Sequence, residues 1–79
     1  MIKKFKLEKF GTTCLFIPIR ELLSTQMQND DLVVWVDTAN KEPRNWTFYS
    51  LYTGDSSPAN AAYIGTVQDK SLVYHVYAS

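Results

Sequence analysis

Residues 21–37, ELLSTQMQNDDLVVWVD, decide how the rest of the chain reads. Asn29 and Asp30 suit a two-residue turn, because Asn and Asp tolerate the positive φ that tight hairpins require. With that turn, 21–28 and 31–37 pair antiparallel: Met27 faces Leu32, Thr25 faces Val34, and Leu23 faces Val36. The opposite face sets Gln26 beside Val33 and Ser24 beside Trp35. An odd loop would invert the parity and place Leu23 against Asp37, so the period-2 pattern favours the even one. Leu23, Met27, Leu32, Val34 and Val36 are the expected core.

Outward from this hairpin the chain keeps reading as strands. Residues 2–10 alternate, with Phe5 and Leu7 against Lys4, Lys6 and Glu8, as in an edge strand guarded by lysines. Gly11, Thr12 and Thr13 read as a turn, 14–17 as a short apolar strand, and Pro18 as an edge, a bulge or the strand's end. Residues 38–45 read as a loop with Pro43, and 46–53 as a strand with Trp46, Phe48 and Tyr52 on one face and Tyr49 and Leu51 on the other. Residues 54–61, GDSSPANA, form a surface loop or an anion-binding loop built on Gly54, Ser56 and Ser57. A second hairpin turning at Asp69 and Lys70 sets Val67 on Leu72, Gly65 on Tyr74, Tyr63 on Val76 and Ile64 beside His75. No segment shows a sustained 3.6-residue period with caps. The expectation is one all-β domain over 1–79, a small six- or seven-stranded antiparallel sandwich or barrel built from hairpins.

Composition narrows the function classes. Seventy-nine residues bury a modest core, and domains this small often add disulfides, metals or oligomerisation. Cys14 is the single cysteine and His75 the single histidine, so an intrachain disulfide is excluded and a metal cluster is not expected. Cys14 reads as a small buried apolar residue. Oligomerisation is the remaining route, and a homo-oligomer is expected. Eight basic residues balance eight acidic ones, which argues against polymeric nucleic acid and against an acidic DNA mimic. No run approaches the ~20 apolar residues of a membrane span, and 1–10 lacks the apolar core of a signal peptide. A cytoplasmic protein is expected, with no membrane partner.

No nucleophile, base and orienter converge in the sequence, so the chain reads as a non-enzyme without cofactor, catalytic residue or metal. A binding module fits better. Four Phe, two Trp and five Tyr are present. Most of their bulk suits strand cores, and the Trp and Tyr also suit stacking surfaces and interfaces. Trp35, Trp46, Tyr49, Tyr52, Tyr63 and Tyr77 are candidate stacking planes, Arg20 and Arg44 candidate phosphate ligands, and Gln26, Thr53 and Gly54 candidate polar contacts.

The ordered set Leu23-Ser24-x-Gln26-x-Gln28-Asn29, Val33-Val34-Trp35-Val36-Asp37, Arg44, Tyr52-Thr53-Gly54, Tyr63-Ile64-Gly65-Thr66 and His75-Val76-Tyr77 resembles small phage and prophage all-β proteins of unknown function. It covers the chain from about Phe5 onward. Asp30 stands where that pattern has Gly, and Tyr52 where it has the first Gly of a Gly-Thr-Gly. The resemblance implies a phage immune-evasion role in the host cytosol. In one form, a CBASS or Thoeris sponge sequesters a cyclic (di)nucleotide defence signal without cleaving it. The alternatives are a protein-binding, anti-CRISPR-like inhibitor of a defence system and an accessory phage protein.

Overall fold

A computed structural model describes residues 1–79. Seven strands run β1 (Ile2–Leu7), β2 (Gly11–Ile17), β3 (Ile19–Gln28), β4 (Asp31–Thr38), β5 (Arg44–Tyr52), β6 (Ala62–Asp69) and β7 (Leu72–Ala78). They form a three-stranded sheet in the order β1-β4-β3 and a four-stranded sheet in the order β2-β5-β7-β6, and every pair is antiparallel. The all-β architecture expected from hairpin reading is therefore present, as a two-sheet sandwich. Its shortest Cα extent is 15 Å, room for two packed sheets and nothing over their outer faces. No helix is long and apolar enough to cross a membrane.

The first hairpin closes as its sequence requires. Asn29 has φ 50° and Asp30 φ 70°, the two left-handed residues of a type I′ turn. Met27 pairs Leu32, Gln26 pairs Val33, Thr25 pairs Val34 and Ser24 pairs Trp35. Leu32, Val34 and Val36 are fully buried and pack with Leu7, Ile19, Phe48, Val67, Val76 and Ala78. Beyond Ser24 the ladder departs from expectation. The register shifts between Leu22 and Ser24 and again between Ile19 and Glu21, so Leu22, not Leu23, pairs Val36. Leu23 is 40% exposed and is not core. Each bulge puts an extra residue into β3, and its inward positions become Ile19, Leu22, Thr25 and Met27; bulges of this kind also turn an edge strand away from foreign pairing.

Three other expectations are corrected. Gly11, Thr12 and Thr13 do not form a turn: they extend β2, in register with Ser50, Tyr49 and Phe48. Alternation along that longer strand aims Leu15 at the core and Cys14 at solvent, so Cys14 is exposed. The last hairpin turns at Lys70 and Ser71, with Lys70 at φ 57°. Val67 consequently pairs Tyr74, Gly65 pairs Val76 and Thr66 pairs His75, while a bulge between Tyr63 and Gly65 moves Tyr63 to the outer face opposite Tyr77 rather than the expected Val76. Moving a two-residue turn by one position slides the register by two and, from Gly65 to the turn, keeps each side chain on its face, so alternation cannot separate the two hairpins.

Gly65 lies opposite Val76 and meets the other sheet. A Cβ built there would stand 3.0 Å from Thr25 Cγ2, and Thr25 is held by its Oγ1 donating to the Val33 carbonyl at 2.8 Å. Gly65→Ala should therefore destabilise by about 1–2 kcal/mol through overpacking. Adding Thr25→Ser, which deletes the methyl and keeps the hydroxyl, should return most of that loss in a chemical-denaturation double-mutant cycle.

Candidate functional site: an arginine-walled cleft at one end of the sandwich

Strand β5 distributes most of the candidate residues. Its even positions point inward: Phe48 and Ser50 are 1% and 2% exposed, with Arg44 and Trp46 before them and Tyr52 after. Six residues separate Trp46 from Tyr52, about 20 Å along an extended strand. The two ends of β5 consequently serve two different clefts.

The cleft at the Arg44 end has a volume of about 350 Å³. Ile17, Pro18 and Ile19, the link between β2 and β3, give it an apolar wall. Lys41 and Glu42 come from the loop before β5, and Arg44 and Trp46 from β5 itself. The Arg44 guanidinium carbon sits 3.5 Å from the centre of the Trp46 ring, a cation–π contact worth about 0.5–1 kcal/mol at an exposed site. Arg44 Nη1 also donates to the Asn45 carbonyl at 2.8 Å. Trp46 packs against the core and lies 6.5 Å from Phe48, centroid to centroid. One indole face is thus covered by the guanidinium, and the plane offered to a ligand is that of Arg44. The Trp46 Nε1 is buried without a hydrogen-bond partner, a state that costs about 1–3 kcal/mol. Lys41, Glu42 and Arg44 take part in no salt bridge.

The cleft at the Tyr52 end, about 290 Å³, is lined by Leu51, Tyr52, Thr53, Gly54, Asp55, Ser57, His75 and Tyr77. His75 is held from both sides, with Thr53 Oγ1 2.7 Å from Nε2 and Thr66 Oγ1 3.0 Å from Nδ1. Tyr63 OH extends the chain to Thr66 Oγ1 at 2.6 Å. Hydroxyls donate or accept, so this arrangement accommodates either tautomer of the imidazole. Asp55 pins the loop, its Oδ2 accepting from the Tyr52 amide at 2.9 Å and its own amide donating to the Tyr52 carbonyl at 3.1 Å. The only carboxylate or permanent cation in this lining is Asp55, so the lining has no cation to join Gly54 and Ser57 in the anion-binding alternative for residues 54–61.

The remaining candidates lie elsewhere. Trp35 and Gln26 share the outer face of the three-stranded sheet, where Lys4 and Ser24 flank Trp35 in register. Tyr49 lies on the outer face of the other sheet, with its hydroxyl 3.2 Å from Ser79 Oγ. Arg20 already has a carboxylate partner: its guanidinium pairs with Asp37 Oδ2, while the Met1 ammonium lies 2.9 Å from Oδ1. The nine candidates therefore do not converge within one chain, and only Arg44 and Trp46 share a cleft with an unpaired cation. Sequence reasoning missed Lys41 and the Ile17–Ile19 wall, because a loop lysine and a proline-broken link carry no periodicity. It also missed Thr66 as the partner of His75, for the parity reason given above.

The fold and cleft define a small two-sheet β-sandwich with a ligand-sized opening at one end. The chain belongs to the family described as a domain of unknown function, DUF7352, whose match spans residues 1–79. Searches of curated proteins and of solved structures return no match.

Electrostatics at Asp37 make a pH prediction. The Met1 ammonium and the Arg20 guanidinium, in that order, hold its carboxyl below the ordinary carboxylate pKa. A depressed folded-state pKa contributes stability that is complete above the unfolded value of about 3.9 and is lost as pH falls through the folded one. Melting temperature should fall below about pH 4. Asp37→Asn should melt lower at neutral pH and show a shallower acid limb.

Proposed function

We propose that this protein is a non-catalytic binding protein whose end cleft captures a phosphorylated nucleotide. A nucleobase lies flat on the Arg44 guanidinium, itself stacked on Trp46, and a phosphate is taken by Lys41. The observation that carries this reading is the Arg44 guanidinium, paired with no carboxylate and lying over the Trp46 ring in a cleft large enough for a small ligand. Stacked arginine planes receive unpaired bases as aromatic rings do. The cleft contains no His, Cys or hydroxyl side chain, which favours capture over cleavage. Taken with the resemblance to phage proteins, this is the chemistry of a sponge that withholds a cyclic (di)nucleotide defence signal.

A second reading rests on a different observation. Phe16 is 63% exposed and Tyr63 58%, and with Tyr49 and Tyr77 they mark an uncovered aromatic face on the four-stranded sheet. A protein-directed inhibitor would use such a face rather than the cleft.

Calorimetry against a panel of cyclic mono- and dinucleotides tests the first reading. Arg44→Ala should weaken binding about ten- to a hundredfold, the range of one stacking contact. Arg44→Lys should recover little, since it restores charge without the plane. Lys41→Ala should cost less and should flatten the salt dependence. Lys41→Ala should melt near the parent, and Arg44→Ala only a few degrees lower, the cost of the lost cation–π contact. No binding by the parent to any member of the panel ends the nucleotide reading and leaves the aromatic face as the functional surface.

A further inference from the structure

A two-sheet sandwich has four edge strands, and in this one three are guarded. β1 carries Lys3, Lys4 and Lys6, charges that resist edge-to-edge pairing. β3 has two bulges, and β6 has a bulge between Tyr63 and Gly65. At Gly65, β6 also lies so close to β3 that an added Cβ would press on Thr25. β2 is different. Its seven residues, GTTCLFI, include no charge and no proline, and its ladder with β5 runs from Gly11 to Ile17 without a register shift. One side of it is hydrogen-bonded to β5; the other borders no strand.

We infer that β2 is a self-pairing edge: two copies of this chain join β2 to β2 antiparallel and merge their four-stranded sheets into one continuous sheet. A second copy is the occupant because the strand complements itself. The register that pairs all seven residues puts Cys14 on the two-fold axis. It sets Thr12 opposite the partner copy's Phe16, Thr13 opposite its Leu15, and Gly11 opposite its Ile17. No like charges meet, which a strand resembling β1 could not achieve. Residues opposite each other in an antiparallel ladder share a face, so the inner face of one copy continues into that of the other.

This pairing also extends the cleft's wall, a consequence that rests on the nucleotide reading above. Ile17 and Pro18 form the cleft's wall, and the register brings the partner copy's Phe10 beside Pro18. Phe10 is 55% exposed and stacks on Tyr52 at 4.5 Å with 10° between the planes. Arg44 pairs Ile17 and Gly11 pairs Ser50, so Arg44 and the partner copy's Ser50 are separated by three strand spacings, about 14 Å. Within one chain the same two residues lie about 20 Å apart along β5. The second copy thus brings its Phe10–Tyr52 end nearer to Arg44 than the chain's own.

The test uses the full chain without nucleotide, so it is independent of whether the panel above binds. Light scattering at high micromolar concentration should give twice the 9.1 kDa chain mass, and a short bismaleimide should crosslink the dimer through Cys14. Thr12 and Phe16 are exposed, so charges there leave the monomer's core alone. Thr12→Lys with Phe16→Lys puts like charges opposite each other and should give a folded monomer with no crosslink, whose melting temperature no longer depends on concentration. Thr12→Lys with Phe16→Glu puts opposite charges together and should restore the dimer and the crosslink. A monomeric parent overturns the proposal. A double-lysine variant that stays dimeric shows that another surface is used, and a Lys/Glu variant that stays monomeric overturns the register.

Discussion

The inner face of β4 is the contact on which the sandwich depends. Leu32, Val34 and Val36 are fully excluded from solvent and pack on Phe48 and Val76 of the facing sheet. Each such side chain contributes on the order of 1.5–3 kcal/mol by burial, a large share of what a domain of this size can muster. β4 is also the middle strand of its sheet. Val33, on the other face, is only 3% exposed although no layer covers it. Its register neighbours are Lys6 and Gln26, whose long stems can shield apolar surface while their ends stay in water. A three-stranded sheet with one face in water is held together through this strand.

Charge is placed around that core in two different ways. Asp37, at the far end of β4, is 8% exposed and takes both Arg20 and the Met1 ammonium. A carboxylate this buried requires such partners, and their attachment ties the start of β3 and the first residue of the chain to β4. The same pairing partly neutralises Arg20. Arg44 has an aromatic instead of a carboxylate beneath it, so its charge remains available. Two arginines that look alike in sequence are thereby given different surroundings, a carboxylate for one and an indole for the other.

The family match assigns no activity, so the functional argument rests on the cleft and on the free edge. Both features occur where the chain leaves regular pairing. The cleft opens where Pro18 ends β2 and where the loop before β5 carries Lys41; the free edge is the strand that Pro18 ends. The apolar core contributes rigidity to each. Arg44 lies two residues from Trp46, and Trp46 two from the fully buried Phe48, so the guanidinium is presented from an anchored strand.

How much of this was legible in the sequence differs from feature to feature. Period-2 alternation and the Asn29–Asp30 turn determined the all-β class, the first hairpin from Ser24 to Trp35 and the burial of Leu32, Val34 and Val36, because face and turn chemistry are local properties. The β3 bulges were not legible: placing Leu22 rather than Leu23 on Val36 depends on how β3 bends across the other sheet. The exposure of Cys14 followed from strand length, and the partner of His75 from a one-position choice of turn that alternation cannot sense. The candidate residues were named by chemical type, but which of them meet was settled by strand order and by the length of β5. That length parts Arg44 from Tyr52 within a chain. Side-chain periodicity records which face a residue takes; only the packed sheets decide what stands across from it.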